Sequence, residues 1–206
     1  HDCSALVTGM LLAFVCPVTI PYWIIVLGAL FAIVLVKMLF GGIGKNFVNP
    51  ALAGRAFLVG SYAGVMTTWI DPAAGKAPLM GAADIVTAAT PMSYLKVGDV
   101  AGLAEQYDVM DVFLGMCGGS MGEVSALCPL VGGAYLIWRK VINWQTPVAY
   151  IATVAVLTLL FPKAGSGIEF MLYSVFGGGL FLGAIFMATD YVTSPVTKKG
   201  QLIFGI

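Results

Sequence analysis

From Ile20 to Phe40 the chain carries one charged residue, Lys37, in a run that is otherwise apolar or small. A helix crossing the hydrocarbon of a bilayer needs about 20 predominantly apolar residues, and this run has that length, with Lys37 near its end where it can snorkel to the interface. Pro50 to Thr68 and Phe170 to Ala188 are runs of the same kind, and Tyr150 to Phe161 joins them when extended back to Pro147. Val109 to Trp138 is also apolar, but Cys117-Gly118-Gly119-Ser120-Met121-Gly122-Glu123 interrupts it, which reads as a broken or re-entrant helix pair. Ala5 to Cys16, set off by Pro17 and Pro21, is short enough to be a half-helix or the end of a span begun upstream. Residues that are 60% hydrophobic and 10% charged cannot hide their apolar surface in one water-facing core, since soluble domains run at about 45–50% apolar and roughly 25% charged. The expected fold class is an all-α integral membrane protein, a multi-helix bundle with broken or re-entrant helices.

Ten basic side chains balance ten acidic ones, so no basic field exists to draw in nucleic acid. The lone histidine, His1, excludes a His-ligated metal centre built from this chain alone. Cys3, Cys16, Cys117 and Cys128 show no Cys-x-x-Cys spacing and read as free, buried, small hydrophobes; an iron–sulfur ligand shared with a partner subunit is the alternative. Polar residues concentrate between Trp69 and Asp108, among them Asp71, Lys76, Asp84, Lys96, Asp99 and Glu105. Residues 69–108 must then lie outside the hydrocarbon. Arg139-Lys140 and Lys198-Lys199 are separated by two spans, which puts both on one face, the cytoplasmic one by the bias of basic residues. Residues 69–108 then face the extracytoplasmic side. We expect one membrane domain over 1–206, a segment of a longer chain, because the sequence opens on His1 without a methionine and stops inside the apolar run Leu202–Ile206.

Two glycine-rich breaks have a similar shape: Gly41-Gly42-Ile43-Gly44-Lys45-Asn46-Phe47-Val48-Asn49-Pro50, and Gly118-Gly119-Ser120-Met121-Gly122-Glu123-Val124-Ser125. Each leads into an apolar helix, the first through an Asn cap with Pro at the first helical position. Transporters built from inverted repeats place broken helices at matching positions in their two halves. Among the charged residues inside or beside the apolar runs, Arg55, Glu123 and Asp190 are candidates for function. Arg55 lies beyond the first turn after Pro50, where it serves a cofactor or ion path, or a structural ion pair. Glu123, after the second break, either complements a helix N-terminus or coordinates an ion in a cavity of broken helix ends. Asp190, beside Thr189 and Thr193, either fixes the loop or serves the ion path. Gly177-Gly178-Gly179 falls inside the Phe170–Ala188 run and reads as close helix packing, not as a phosphate loop.

The strip Asp84-Ile85-Val86-Thr87-Ala88-Ala89-Thr90-Pro91 offers two hydroxyls and an upstream carboxylate among small residues, with Pro91 restricting Thr90 to extended backbone. A solvated loop with helix-capping threonines would look the same. The strip resembles the flavinylation motif Asp-x-x-Ser/Thr-Gly/Ala-Ala-Thr, in which a flavin transferase esterifies FMN phosphate onto the last threonine. That resemblance implies a covalent FMN on Thr90, with Asp84, Thr87 and Ala89 as recognition residues; Ala88 stands where glycine is commoner. Together with Asp2-Cys3-Ser4-Ala5-Leu6-Val7-Thr8-Gly9, the stretches 41–57 and 119–125, and Thr189-Asp190-Tyr191-Val192-Thr193-Ser194-Pro195-Val196-Thr197-Lys198-Lys199-Gly200, the order and spacing resemble the RnfD/NqrB family. The ending looks more like RnfD than NqrB, with Tyr191 where proline is usual. The resemblance implies part of an inverted-repeat fold similar to urea transporters, in a bacterial or archaeal cell membrane. It further implies covalent FMN, with riboflavin as a second flavin, and Rnf-type partner subunits, membrane and peripheral. The implied function is electron transfer from ferredoxin to NAD+ coupled to Na+ or H+ movement, with no complete active site in this chain. Arg55 would then be a cofactor-binding residue and Glu123 and Asp190 ion-path residues. The alternatives are an NqrB-type subunit of a sodium-pumping quinone reductase, or a urea-transporter-like channel with no redox role.

Overall fold

The computed structural model describes residues 3–42, 44–70, 89–163 and 165–206, and regular structure among them is almost entirely helical. The first unit packs α1 (Ser4–Phe14), α2 (Tyr22–Met38) and α3 (Pro50–Ser61) around Leu12, Val15, Ile24, Ala51 and Leu58. The second half of α2, Phe31–Met38, is wound with the wider π spacing. Asn49 caps α3 by accepting from Ala51 N (3.0 Å) and Leu52 N, which satisfies donors that a helix start leaves orphaned. α3 crosses α2 where both carry small residues. A Cβ on Gly54 would stand 3.0 Å from Ala32 Cβ and 3.1 Å from the Gly28 carbonyl, neither of which can swing away. Gly54→Leu is therefore expected to cost about 1–3 kcal/mol, read as a lowered unfolding midpoint in detergent; an unchanged midpoint would mean the two helices are not in contact there.

A short helix, α4 (Ala63–Met66), follows α3 after Tyr62 leaves helical backbone. Beyond it, Asp84 and Thr87 lie outside the described residues. The later part of the polar 69–108 stretch is not open loop: α5 (Pro91–Val97) and α6 (Val100–Gln106) place Leu95, Val100 and Leu103 inside a core with Tyr107, Val112, Phe170 and Tyr173. Those apolar positions recur at helical spacing, a pattern masked by the charged residues between them. The Tyr173 hydroxyl ties this core together by donating to the Tyr107 carbonyl at 2.9 Å.

The remainder is α7 (Val109–Leu114), α8 (Leu127–Trp138), α9 (Gln145–Leu160), α10 (Gly167–Phe176), α11 (Leu180–Met187) and α12 (Lys198–Gly205). α9 packs between α10 and α12, and α12 approaches so closely that a Cβ on Gly205 would sit 2.9 Å from the Thr146 carbonyl. The break expected in Val109–Trp138 is present between α7 and α8. The runs expected as whole spans are more broken than their hydropathy suggests. No single helix among the described residues is long and apolar enough to cross a membrane, whereas α10 and α11 together pass on length and composition, bent by 59°. That bend falls at Gly177-Gly178-Gly179, so the glycines interrupt a helix and do not merely let a continuous one pack closely. The two glycine-rich breaks also differ in backbone: Gly41, Gly42 and Gly44 all have positive φ, while none of Gly118, Gly119 and Gly122 does. Cys16 and Cys117 are buried as expected, but Cys3 and Cys128 are exposed; none of the four is joined in a disulfide.

Candidate functional site

Thr90 is held by its neighbours. Pro91 confines it to φ −73°, ψ 153°, and its Oγ1 caps α5 by accepting from Ser93 N at 3.3 Å. Ser93 Oγ returns a bond to the Thr90 carbonyl at 2.6 Å. Pro91 is buried against the glycine bend, where a Cβ on Gly177 would meet Pro91 Cβ at 3.1 Å. Thr90 thus stands at the middle of the bent α10–α11 pair, with Ala89 exposed beside it.

Thr90 lines a cavity of about 480 Å³ whose walls include Arg55, Ser120, Glu123, Ser174 and the glycine bend. Arg55 projects from α3. Glu123 does not start a helix, as the sequence suggested; it sits in a turn whose N–H donates to the Ser120 carbonyl at 3.1 Å, and α8 begins only at Leu127. The turn docks on the α1–α2 connection through Gly122 N to Phe14 O (2.8 Å) and Ser120 Oγ to Val15 O (3.4 Å). Gly115 closes its base, with φ +100° and Ser125 backbone atoms where a Cβ would stand.

Arg55 and Glu123 form a forked ion pair: Nη1 donates to Oε1, and Nη2 to Oε2 at 3.3 Å. The two side chains are 31% and 14% exposed, so both are substantially desolvated. A Cβ on Gly179 would overlap the Glu123 carboxylate, which explains a glycine there. Of the two roles open to Arg55, the structural pair is present, and it is built into the cavity wall that also carries Thr90.

Asp190 belongs elsewhere. Its Oδ1 accepts from Val192 N at 3.3 Å and its carbonyl accepts from Ser194 N at 2.9 Å, which is loop fixation. It lines a second cavity of about 590 Å³ with Thr8, Lys37, Asn46 and Asn49. Lys37 does not snorkel outward: it is 8% exposed and donates to Thr8 Oγ1 on α1 at 3.4 Å. Asn46 is 7% exposed, and its Oδ1 has no hydrogen-bond partner among the described residues. The signal for Lys37 was a charge inside an apolar run, and for Asn46 the Asn-x-x-Asn spacing with Asn49.

A family model described as NQR2, RnfD, RnfE matches residues 1–206. The chain belongs to the NQR2, RnfD, RnfE family. It is 47% identical over 208 residues to the D-type subunit of the Na(+)-translocating ferredoxin:NAD(+) oxidoreductase complex of Acetobacterium woodii, covering 100% of this chain and 60% of that protein. Identity is 41% over 211 residues to the D-type subunit of the proton-translocating ferredoxin:NAD(+) oxidoreductase complex of Clostridium ljungdahlii, covering 100% of this chain and 62% of that one. The B-type subunit of the Na(+)-translocating NADH-quinone reductase of Chromohalobacter salexigens is 37% identical over 208 residues, covering 97% of this chain and 48% of the relative. The chain thus spans less than two thirds of the length of these relatives. Within this member of the NQR2, RnfD, RnfE family, the stretches 41–57, 119–125 and 189–200 supply about half of the polar side chains of the two cavities, Arg55, Glu123, Asn46 and Asp190 among them.

Proposed function

We propose that the chain is part of the flavin-bearing membrane subunit of an Rnf-type ion-translocating ferredoxin:NAD+ oxidoreductase, with FMN joined through its phosphate to Thr90. The observation that carries this reading is the shared cavity: the one hydroxyl the motif requires opens onto the same space as a forked Arg–Glu pair. The fit is chemical as well as spatial. The cavity lies within the range usual for a cofactor, about 300–1,000 Å³, and its glycine wall lets Pro91 and the Glu123 carboxylate pack against it, since a Cβ on Gly177 or Gly179 would collide with them. Thr90 would hold the phosphate, Arg55 would offer it the N–H donors that Glu123 leaves unused, and Ser120 and Ser174 would offer hydroxyls to a ring system. Bound flavin would supply one-electron redox chemistry; the protein supplies attachment, orientation and exclusion of water. Asp84, Thr87 and Ala89 serve recognition by the flavin transferase. The second cavity suits non-covalent riboflavin, whose ring N–H groups would satisfy Asn46 Oδ1.

A bilayer is the natural environment for the outer faces, which carry Leu6, Trp23, Leu30, Val131, Tyr135, Leu157 and Leu160 exposed. Bent helices meeting at a polar cavity are tolerated at membrane depth where they line a cavity, in keeping with an inverted-repeat, urea-transporter-like arrangement. The Tyr191 hydroxyl donates to the Val141 carbonyl, so the segments leading to Lys198-Lys199 and from Arg139-Lys140 meet on one face; this supports a common cytoplasmic side for both basic pairs, and the extracytoplasmic assignment of 69–108 rests on the charge pattern. The test uses membranes of a host lacking this subunit, complemented with the full-length protein. Ferredoxin-dependent NAD+ reduction and cation uptake are expected to return together. Electron transfer that persists without the subunit would point instead to a solute channel.

A further inference from the structure

The cavity beside Thr90 holds one opposed charge pair in its wall, Arg55 and Glu123, whose charges are uncovered only when the two part; its other titratable lining groups are the Cys117 thiol and the Tyr150 phenol, and the Cys16 thiol on the α1–α2 connection feels both charges. Desolvated ion pairs are normally fixed by further hydrogen bonds to each partner. Here, among the described residues, the Glu123 carboxylate accepts from Arg55 alone, and Arg55 donates to Glu123 alone. A guanidinium has five N–H donors, so Arg55 retains capacity for a second anion without first losing all contact with Glu123. Glu123 is carried on a turn, not a helix, and is backed by the glycine bend at Gly179. A carboxylate released from Arg55 would therefore face the cavity with no donor of its own.

We propose that Arg55 and Glu123 form a charge-exchange site: negative charge entering the cavity takes the guanidinium, and the freed carboxylate binds one monovalent cation, Na+ or H+. This rests on the reading of Thr90 as the flavin site for the source of that charge. One electron, delivered by a reduced iron–sulfur carrier on a partner subunit, adds one negative charge to the cavity, and one cation at Glu123 balances it. With Na+ no covalent bond changes; with H+ one O–H bond forms on the carboxylate. Electron arrival and cation uptake are thereby linked one to one.

The experiment uses the assembled complex containing the full-length protein, with flavin on Thr90 first checked by peptide mass. The flavin midpoint potential is titrated against Na+ at fixed pH and against pH at fixed Na+. The potential is expected to rise by about 59 mV per tenfold increase of the coupling cation, the one-electron value, and the titration that shows the slope identifies the cation. Glu123→Gln is expected to flatten it, and Arg55→Lys to keep it; an unchanged slope in Glu123→Gln overturns the proposal. A second arm needs no flavin. In Thr90→Val protein the pair stays closed, and thermal stability is expected to ignore Na+ and to vary little with pH near neutrality. Adding Arg55→Met exposes Glu123, and the midpoint is expected to rise with the coupling cation. A midpoint indifferent to both cations in that double variant also overturns the exchange. Absence of flavin from wild-type Thr90 would sink the functional reading and leave this second arm to decide the exchange by itself.

Discussion

Thr90→Val protein, made full-length with its flavin transferase, is expected to carry no covalent flavin, while Thr90→Ser carries it. Only a hydroxyl can form the phosphoester, and valine replaces it with a methyl group of nearly the same size. The substitution also removes the α5 cap, since Thr90 Oγ1 accepts from Ser93 N; that loss costs about 1 kcal/mol and leaves the fold otherwise intact. Serine keeps both the hydroxyl and the cap, so a stability effect and a chemical effect separate. In-gel flavin fluorescence reads the result: signal in wild type and Thr90→Ser, background in Thr90→Val. Fluorescence that survives in Thr90→Val would move the attachment to another residue.

The second large effect concerns the ion pair. Glu123→Ala strands the Arg55 guanidinium in a half-buried wall, and breaking a fully buried pair from one side costs about 3–5 kcal/mol. With Arg55 31% exposed, water recovers part of that, and we expect about 2–3 kcal/mol. Arg55→Met with Glu123→Met together should recover most of the loss, because no unpaired charge remains and the stems still fill the wall. A double-mutant cycle on unfolding in detergent measures the coupling. A coupling below about 0.5 kcal/mol, the level of an exposed surface pair, would mean that the two side chains do not meet.

Much of this arrangement was readable one residue at a time, and little of it pair by pair. Arg55 and Glu123 each stood out as charges among apolar residues, yet they are 68 positions apart, and nothing local says that they meet. The break between α7 and α8 was legible because glycine and small polar residues cluster there. Close packing at Gly177–Gly179 is legible and present, with Pro91, Met92 and Glu123 set against the three glycines, but an all-apolar composition hides the change of direction there: hydropathy reports the environment of a run, not its straightness. Leu95, Val100 and Leu103 were lost among charges for the opposite reason, since polar content dominated a segment whose few apolar residues make a core. Lys37 reads as a lysine near a span end that reaches the interface, and its inward course depends on Thr8, a hydroxyl on α1 29 positions away. Thr90 was singled out by motif resemblance, and its place on the cavity wall follows from Pro91 packing on Gly177, a contact no short motif encodes.

The central claim is that Thr90 carries the flavin beside the Arg55–Glu123 pair. Its most direct test is the mass of the peptide spanning Asp84 to Lys96, taken from wild-type full-length protein purified after synthesis with the flavin transferase. The account predicts a mass increase equal to FMN less one water, with fragment ions placing it on Thr90. An unmodified peptide from an active complex would contradict it.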